Sequence, residues 1–207
     1  REGLQQRINE KAVNFLEKML SKLIEIPTEI KLELSKHFER IIILDSTQIT
    51  LPKELAELFK GSGGAASTAG IKIQFYYDLK TGRFNYEIQE GVNQDSKYSN
   101  NFVDALNKND LIIKDLGYFN MEVFVDIANR DAYYLSRWKT SVNLYINEKG
   151  DEFDLVKFAS SIYETSEIEV FIKTKGKMTK TRLVLEKVPE KVKNERLRKL
   201  NNVNKKN

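Results

Sequence analysis

Cysteine is absent from this chain, and histidine and tryptophan occur once each among its 207 residues. The absence of cysteine excludes disulfide bonds and thiolate metal sites. It is compatible with a reducing cytoplasm. The one histidine, His37, lies among charged neighbours, with no second histidine or cysteine to complete a metal site. We therefore interpret it as a surface residue.

Long apolar runs are also missing. No stretch approaches the roughly 20 apolar residues that a membrane-spanning helix needs, so we predict no membrane segment. The first residues, Arg1-Glu2-Gly3, open a polar helical pattern and not a signal peptide, and since no Met precedes them we expect a piece of a longer protein. The loop Gly61-Ser62-Gly63-Gly64 lacks the Gly-Lys-Ser/Thr pattern of a phosphate-binding loop, which argues against a nucleotide site.

The composition is that of a globular protein, with 41% apolar and 31% charged residues. The length suits one core with an appendage or two small domains. The net charge of +4 is concentrated at the end of the chain, where residues 186–207 hold eight Lys or Arg against three Glu. This basic tail is either a solvated, fraying end or a segment attracted to phosphate.

Two aspartates each follow an apolar, β-branched run. Asp45 comes after Ile41-Ile42-Ile43-Leu44, and Asp115 comes after Leu111-Ile112-Ile113-Lys114. Such runs predict buried strands, and a carboxylate there is costly unless it is exposed, hydrogen-bonded or bound to a cation. Two of them indicate a pair of hard oxygen ligands for a divalent metal. The alternative is that both aspartates cap turns.

The remaining periodicities predict an α/β core on a mixed sheet, followed by a β-rich stretch. The amphipathic pattern from Leu4 to Ile24 predicts a helix whose apolar stripe packs in the core. A short polar helix is predicted at 29–39. The predicted strands are 40–49, 71–78, 84–92, 110–115, 131–138, 142–146, 168–174 and 181–185, and the later helices are 96–107, 118–130 and 154–160.

Several local sequences, in this order and at these distances, resemble the DDE transposases of bacterial insertion sequences, specifically the insertion-sequence-four family. They are Leu44-Asp45-Ser46-Thr47, the glycine loop with Ala69-Gly70-Ile71-Lys72-Ile73-Gln74, Asp115-Leu116-Gly117-Tyr118-Phe119 and Ala132-Tyr133-Tyr134-Leu135-Ser136-Arg137. The resemblance covers roughly residues 1–200. It implies a ribonuclease-H-like mixed sheet flanked by helices, with a β-rich insertion and an N-terminal helical segment.

The resemblance also implies a chemistry. Asp45 and Asp115 match the first two catalytic carboxylates, which with a third hold two Mg²⁺ (or Mn²⁺) ions for phosphodiester hydrolysis and strand transfer. No nucleotide cofactor and no covalent intermediate are needed. The implied partners are double-stranded DNA, as terminal inverted repeats and as target, and a second transposase subunit in the full-length protein. The implied location is the bacterial cytoplasm, at the nucleoid when DNA is bound.

On this basis residues 1–39 are the end of a DNA-binding region and 40–140 the first part of the catalytic core. Residues 141–186 are the insertion, and 187–207 a basic tail leading to the helix of the third carboxylate. The family motif of that helix (Tyr, two residues, Arg, three residues, Glu, six residues, Lys) does not follow Tyr163, the last tyrosine. We therefore expect a core truncated on both sides that binds Mg²⁺ weakly and does not cleave DNA alone. The alternatives are an inactive remnant that binds DNA or a transposase subunit, and another metal-dependent nuclease of this fold.

Two groups of residues are candidates for DNA contact. Arg137, Trp138 and Lys139 end a predicted strand, where the indole either stacks on an unpaired base or covers the seam between core and insertion. Lys173, Lys175 and Lys177 lie on a predicted hairpin that either contacts phosphate or presents an ordinary solvated face.

Overall fold

The computed structural model describes residues 9–24, 36–63 and 68–204, with the backbone alone for residues 24 and 199–204. The chain divides into two compact units, Arg1–Lys139 and Thr140–Asn207. The roles predicted for residues 1–39, 40–140, 141–186 and 187–207 stay predictions. Residues 1–8 and most of the predicted helix at 29–39 lie outside the described residues. His37 is exposed, as predicted.

The first unit contains five strands and three helices among its described residues. The strands are β1 (Ile41–Thr50), β2 (Gly70–Asp78), β3 (Phe84–Glu90), β4 (Leu111–Lys114) and β5 (Tyr133–Ser136). The helices are α1 (Glu10–Ile24), α2 (Asp95–Tyr98) and α3 (Met121–Asn129). Short 3-10 turns occur at Lys53–Leu55, Val103–Ala105 and Leu116–Tyr118.

The five strands form one mixed sheet in the order β3-β2-β1-β4-β5. The chain runs antiparallel from β1 through β2 to β3, and β4 and β5 then add on the other side of β1 in parallel. This arrangement confirms the predicted α/β class with a mixed sheet flanked by helices. It places β1 at the centre, and residues 42–44 of β1 have β2 on one side and β4 on the other.

Helix α3 packs on one face of this sheet. Asn120 caps it by accepting a hydrogen bond from the backbone N–H of Glu122 (3.0 Å). Its buried side chains include Phe124, which stacks on Tyr134 of β5 with ring centroids 4.3 Å apart. The residues of β1 and β4 on this covered face are fully buried, namely Ile42, Leu44 and Ile112.

The opposite face, here called the open face, is apolar but only partly covered. Its β1 and β4 members Ile43 and Ile113 are half-buried, and Leu135 of β5 is 56% exposed. Because side chains alternate along a strand, the residues that follow two positions later share this face. Asp45 and Asp115 therefore lie on the open face, at the end of its apolar strip.

Two predictions for the first unit are wrong. The helix expected at 96–107 is broken into α2 and a 3-10 turn, because Ser99, Asn100 and Asn101 between them have side chains that compete for backbone hydrogen bonds. The apolar stripe of α1 does not pack in a core: Phe15 is 66% exposed and Leu16 54%. Helical periodicity predicted the helix correctly but could not say what would cover it.

The second unit is built on the hairpin of β6 (Ser166–Thr174) and β7 (Lys177–Leu185). Lys175 and Gly176 both have positive φ, 49° and 80°, as a two-residue type I′ turn requires. Val170 and Ile172 are buried on its inner face. Helices α4 (Leu155–Ser161) and α5 (Glu190–Asn204) complete the unit.

One further expectation differs from what the second unit shows. The strand predicted at 142–146 is reduced to isolated bridges from Tyr145 to Glu152 and to Phe171. The basic tail includes α5, and both of its alternatives, a solvated end and a segment attracted to phosphate, stay predictions. None of the helices in the described ranges is long and apolar enough to cross a membrane.

Candidate functional site

The register of the parallel strands β1 and β4 brings the two predicted aspartates together. Leu44 pairs with Lys114 as the last residue pair of this ladder, and Asp45 and Asp115 are the next residue on each strand. Neighbouring strands lie about 4.8 Å apart, so the backbones of Asp45 and Asp115 lie side by side just beyond the last residue pair of the β1–β4 ladder. Both aspartates are on the open face. The sequence alone could place each aspartate after an apolar run but could not pair the strands; Asp45 lies within β1, and Asp115 directly follows β4.

Each carboxylate is oriented by a nearby backbone N–H, from the next residue of β1 for Asp45 and from the following 3-10 turn for Asp115. The amide of Ser46 donates to Oδ1 of Asp45, and the amide of Gly117 donates to Oδ1 of Asp115, both at 2.8 Å. Asp115 thereby caps the 3-10 turn Leu116–Tyr118. Asp115 therefore caps a turn, which was the alternative to metal binding. The cap uses one carboxylate oxygen and does not exclude a ligand on the other, because each oxygen offers its own lone pairs.

Arg137 stands at the same edge. It follows β5 on the open face, and its Nη2 lies 3.9 Å from Oδ2 of Asp115. Both side chains are more than half exposed, so the ion pair contributes little to stability. The structure therefore brings Asp45, Asp115 and Arg137 to one edge of the sheet.

The neighbouring candidates are placed differently. Trp138 packs edge-on against Phe119, with ring centroids 5.4 Å apart, and its indole N–H is buried without a hydrogen-bond partner among the described residues. Lys139 is exposed at the end of the first unit. Base stacking by Trp138 stays a prediction.

The three hairpin lysines belong to the second unit. Lys173, Lys175 and Lys177 are exposed around the type I′ turn. Further along the hairpin, Lys180 pairs with Glu169 at 2.7 Å, and Arg182 pairs with Glu167 at 3.6 Å. Three lysines, Lys173, Lys175 and Lys177, lie within five residues at the hairpin tip.

A third carboxylate, that of Asp95, lies behind the aspartate pair. Asp95 is the first residue of α2, and Gln94 takes the N-cap position. Oδ1 of Asp95 accepts hydrogen bonds from the hydroxyl of Ser46 (3.0 Å), the ammonium of Lys72 (3.1 Å) and the amide of Gln74 (2.9 Å). The tyrosine hydroxyl of Tyr118 donates to Oε1 of Gln74. We call Ser46, Lys72, Gln74, Asp95 and Tyr118 the Asp95 cluster.

The cluster is largely buried. Gln74 and Tyr118 are fully buried and Lys72 is 9% exposed. Burial raises the pKa of the Tyr118 hydroxyl, a hydrogen bond with Ser46 lowers it, and the negative charges of Asp95, Asp45 and Asp115 raise it, with an upward shift as the net result. Tyr118 therefore stays protonated and acts as a hydrogen-bond donor. No sequence signal identified this cluster, because its members come from four separate segments.

A buried lysine directly precedes Asp115. Lys114 is 4% exposed, its ammonium donates to the hydroxyl of Ser99 at 2.8 Å, and it lies 4.6 Å from the centroid of the Phe124 ring. Burial lowers its pKa from 10.5 to about 7, since no carboxylate compensates the lost hydration. The sequence showed Lys114 only as the last residue of an apolar run.

The donor set of the aspartate pair suits a hard divalent cation. Oδ1 of each carboxylate takes one backbone N–H, and Oδ2 takes no part in these hydrogen bonds, although Oδ2 of Asp115 lies 3.9 Å from Nη2 of Arg137. Mg²⁺ is commonly bound by one or two carboxylates, with water and substrate phosphate completing its octahedron. The described ranges hold no group of three or more His, Cys, Asp or Glu that could bind a metal. The pair can thus supply two protein ligands.

Comparisons with known proteins agree on one family. The family model "Transposase DDE domain" matches residues 36–204. The chain is 41% identical over 157 residues to the transposase for insertion sequence element IS231F of Bacillus thuringiensis subsp. israelensis, covering 73% of this chain and 33% of the relative. It is 42% identical to the IS231B transposase of subspecies berliner, with the same coverage.

A more distant relative is matched over a longer stretch. The transposase for IS1151 of Clostridium perfringens is 31% identical over 220 residues, 95% of this chain and 46% of the relative. Among solved structures, the piggyBac transposase synaptic complex with hairpin DNA has a TM-score of 0.36 at 12% identity, covering 70% of this chain and 32% of that one. This value is too low to add anything about the fold. The chain spans about a third of the length of the IS231 transposases.

The family model matches most of the chain, and the matched range includes Asp45, Asp115 and the strands β1 to β7. This chain belongs to the transposase DDE domain family.

Proposed function

We propose that this chain is a catalytic core for Mg²⁺-dependent phosphodiester hydrolysis and strand transfer at the ends of a bacterial insertion sequence of the insertion-sequence-four family. The family membership supports the transposase class. The strand order, with three antiparallel strands followed by two parallel ones, supports a ribonuclease-H-like sheet. Double-stranded DNA is the proposed substrate, and a dimer of the full-length protein the proposed assembly.

The observation that carries the proposal is the register that ends with Leu44 opposite Lys114. It supports Asp45 and Asp115 as joint ligands of one divalent ion. When bound, the ion would stabilise charge on the phosphodiester and favour ionisation of the attacking water or 3′-hydroxyl. Asp45 and Asp115 would hold the ion, and the amides of Ser46 and Gly117 orient their carboxylates. Arg137, exposed at the same edge, is the proposed phosphate contact.

The proposal includes a limit on this chain. Two carboxylates carry less negative charge than three, and the affinity for Mg²⁺ falls accordingly, because this small cation holds its waters tightly. We propose that the 207 residues bind the ion weakly and do not cleave DNA alone. A metal-dependent nuclease of the same fold is the second candidate, since Asp45 and Asp115 would serve hydrolysis equally. Strand transfer of a terminal repeat by the parent protein separates the two.

The test is a Mn²⁺ titration followed by electron paramagnetic resonance of the free ion. We expect the purified chain to bind one Mn²⁺ weakly, and Asp45→Asn or Asp115→Asn to weaken binding by at least about tenfold, because each removes a charged ligand. Asp126→Asn is the matched control: it removes one charge from an exposed position of α3, which packs on the other face. Unchanged binding in both site variants contradicts the metal site, and Mn²⁺-dependent nicking of plasmid DNA by the wild-type chain contradicts the proposed inactivity.

A second prediction concerns the hairpin tip. Charge reversal at Lys175 and Lys177 should leave the fold intact and weaken DNA binding several-fold at low salt, with a smaller salt dependence, because fewer phosphate counterions are released. Fluorescence anisotropy of a labelled duplex at several salt concentrations measures both quantities. Reversal of Lys149 and Lys157, two exposed lysines of the same unit, changes the net charge equally. Equal loss in both double variants would mean that only net charge matters.

A further inference from the structure

We infer that Asp95 is a positioning residue: through the Asp95 cluster it fixes the two backbone segments that orient Asp45 and Asp115, namely the peptide of Ser46 in β1 and the 3-10 turn Leu116–Tyr118. This inference rests on the proposed function for its catalytic meaning, whereas the positioning itself is argued from hydrogen bonds. Asp95 accepts its hydrogen bonds from Ser46, Lys72 and Gln74, and it acts from the covered side of the sheet.

The link to Asp45 runs through one residue. Ser46 donates its backbone N–H to Oδ1 of Asp45 (2.8 Å) and its hydroxyl to Oδ1 of Asp95 (3.0 Å). Since side chains alternate along β1, Asp45 points to the open face and Ser46 to the covered face. A rotation of the backbone at Ser46 would disturb both hydrogen bonds together. Asp95 therefore fixes the peptide that orients Asp45.

The link to Asp115 runs through Gln74 and Tyr118. Gln74 donates its amide to Asp95 (2.9 Å), and its carbonyl oxygen accepts from the Tyr118 hydroxyl. Tyr118 is the last residue of the 3-10 turn that Asp115 caps, so its ring fixes the turn from the covered side. Both side chains are fully buried, which leaves them few alternative rotamers.

Gly117 lets the turn pass close to the carboxylate of Asp115. A Cβ atom added to it would lie 3.1 Å from Oδ1 of Asp115 and 3.5 Å from Oδ2 of Asp95. The distance to Asp115 is tighter than an ordinary contact and the distance to Asp95 is not, so the missing side chain matters for the close approach of the Asp115 carboxylate. Asp95 lies near this turn and is linked to it through Gln74 and Tyr118.

Lys72 balances the charge of Asp95. Its ammonium lies 3.1 Å from Oδ1 of Asp95 and 2.7 Å from the carbonyl oxygen of Asn93. With Asp95 removed, Lys72 would leave a nearly buried positive charge behind the aspartate pair, which opposes cation binding. Loss of Asp95 is therefore expected to weaken cation binding by geometry and by charge.

The test compares Asp95→Ala with Asp78→Ala. Asp78 is buried on the covered face of β2. Its carboxylate accepts hydrogen bonds from the backbone N–H of Lys80 and the hydroxyl of Thr81 in the β2–β3 turn, away from the Asp95 cluster. We expect Asp95→Ala to increase hydrogen exchange of the Ser46 and Gly117 amides at least about tenfold, with exchange at Ile42 and Ile112 in the core nearly unchanged. We expect Asp78→Ala to leave the ratio of exchange rates between the two site amides and the two core amides as it is in wild type.

The Mn²⁺ titration is the second readout, with an expected weakening of about tenfold in Asp95→Ala, the range seen when residues behind a metal ligand are changed. Exchange that rises evenly over the sheet, or equally in both variants, would overturn the positioning role. If Asp95→Ala does not fold, Asp95→Asn is judged by the same two amides, because it loses the charge but keeps the shape. If Asp45→Asn leaves Mn²⁺ binding unchanged, the proposed function fails, and the amide exchange still decides the role of Asp95.

Discussion

Replacing Asp110 by alanine is expected to lower the free energy of unfolding by about 3 kcal/mol, the lower end of the loss when one partner of a buried ion pair is removed, because the Arg40 side chain left behind is 29% exposed. Asp110 is fully buried. Both of its oxygens accept from Nε of Arg40 (3.1 Å), and Oδ2 also accepts from Nη2 of Arg40 and from the backbone N–H of Asn107 (2.7 Å). This hydrogen bonding to Asp110 raises the pKa of the Arg40 guanidinium, which stays charged at any accessible pH.

The pair joins the beginnings of the two strands that carry the site. Arg40 directly precedes β1 and Asp110 directly precedes β4, and the N–H of Leu111 donates to the carbonyl oxygen of Arg40 at 2.9 Å. Loss of Asp110 should therefore weaken the pairing of β1 with β4 most. Urea unfolding followed by circular dichroism measures the change. Asp104→Ala breaks the exposed pair with Arg130 and should cost less than about 1 kcal/mol; equal losses in the two variants would contradict the argument.

Replacing Lys114 by methionine is expected to act in the opposite direction and to stabilise the protein at pH 7 by about 1–3 kcal/mol. The substitution keeps the apolar length of the side chain and removes a charge that burial disfavours. The gain is reduced because the buried hydroxyl of Ser99 loses its donor and the contact with the Phe124 ring changes. The double variant Lys114→Met/Ser99→Ala, which removes both polar groups, should recover that loss.

The pKa of Lys114 also predicts how the stability of the wild-type chain changes with pH. The pKa of Lys114 is about 7 in the folded chain and 10.5 as its ordinary value. Between these values the unfolded chain binds the proton and the folded chain does not, so stability rises with pH, by at most about 1.4 kcal/mol per pH unit. Below pH 7 both states are protonated and the destabilisation is complete. Above pH 10 the raised pKa values of buried Tyr98 and Tyr118 act in the other direction.

Unfolding should therefore be measured at one-unit intervals from pH 6 to pH 10. Wild type should gain stability from about pH 7 upward, and Lys114→Met should lose this slope. Lys97→Met, at an exposed position of α2, should change stability by less than about 0.5 kcal/mol and keep the slope. A wild-type slope that persists in Lys114→Met would mean that another group titrates.

The sequence predicted most of the first unit because its strands and helices carry strong local patterns. The run before Asp45 and the hairpin of β2 and β3 are set by β-branched residues and a turn, and these predictions are confirmed. The strand pairing is not a local property: nothing within β1 or β4 states that Leu44 lies opposite Lys114. The aspartate pair therefore became a site only through the register.

The wrong and missed predictions have the same cause, because they too depend on contacts that are not local in the sequence. The apolar stripe of α1 was expected in a core because amphipathic helices usually bury their apolar face, but periodicity does not identify the partner. Asp95 and Lys114 were missed because their environments are made by residues from other strands and helices, such as Gln74 for Asp95 and Ser99 for Lys114. Burial of a polar group is decided by tertiary packing, which a single sequence does not show.

The parallel pairing of β1 with β4 also bears on how this chain tolerates changes in length. Residues paired between β1 and β4 are 70 positions apart, from Ile41 to Leu111, against 20 for the nearest β1–β2 pair, Thr50 with Gly70. The entropy of closing the longer loop costs only about 1 kcal/mol more, because it grows with the logarithm of length. Insertions in the exposed loops between the strands should thus be inexpensive. A deletion of one residue inside β4 is different, because it would turn Asp115 to the covered face and separate it from Asp45.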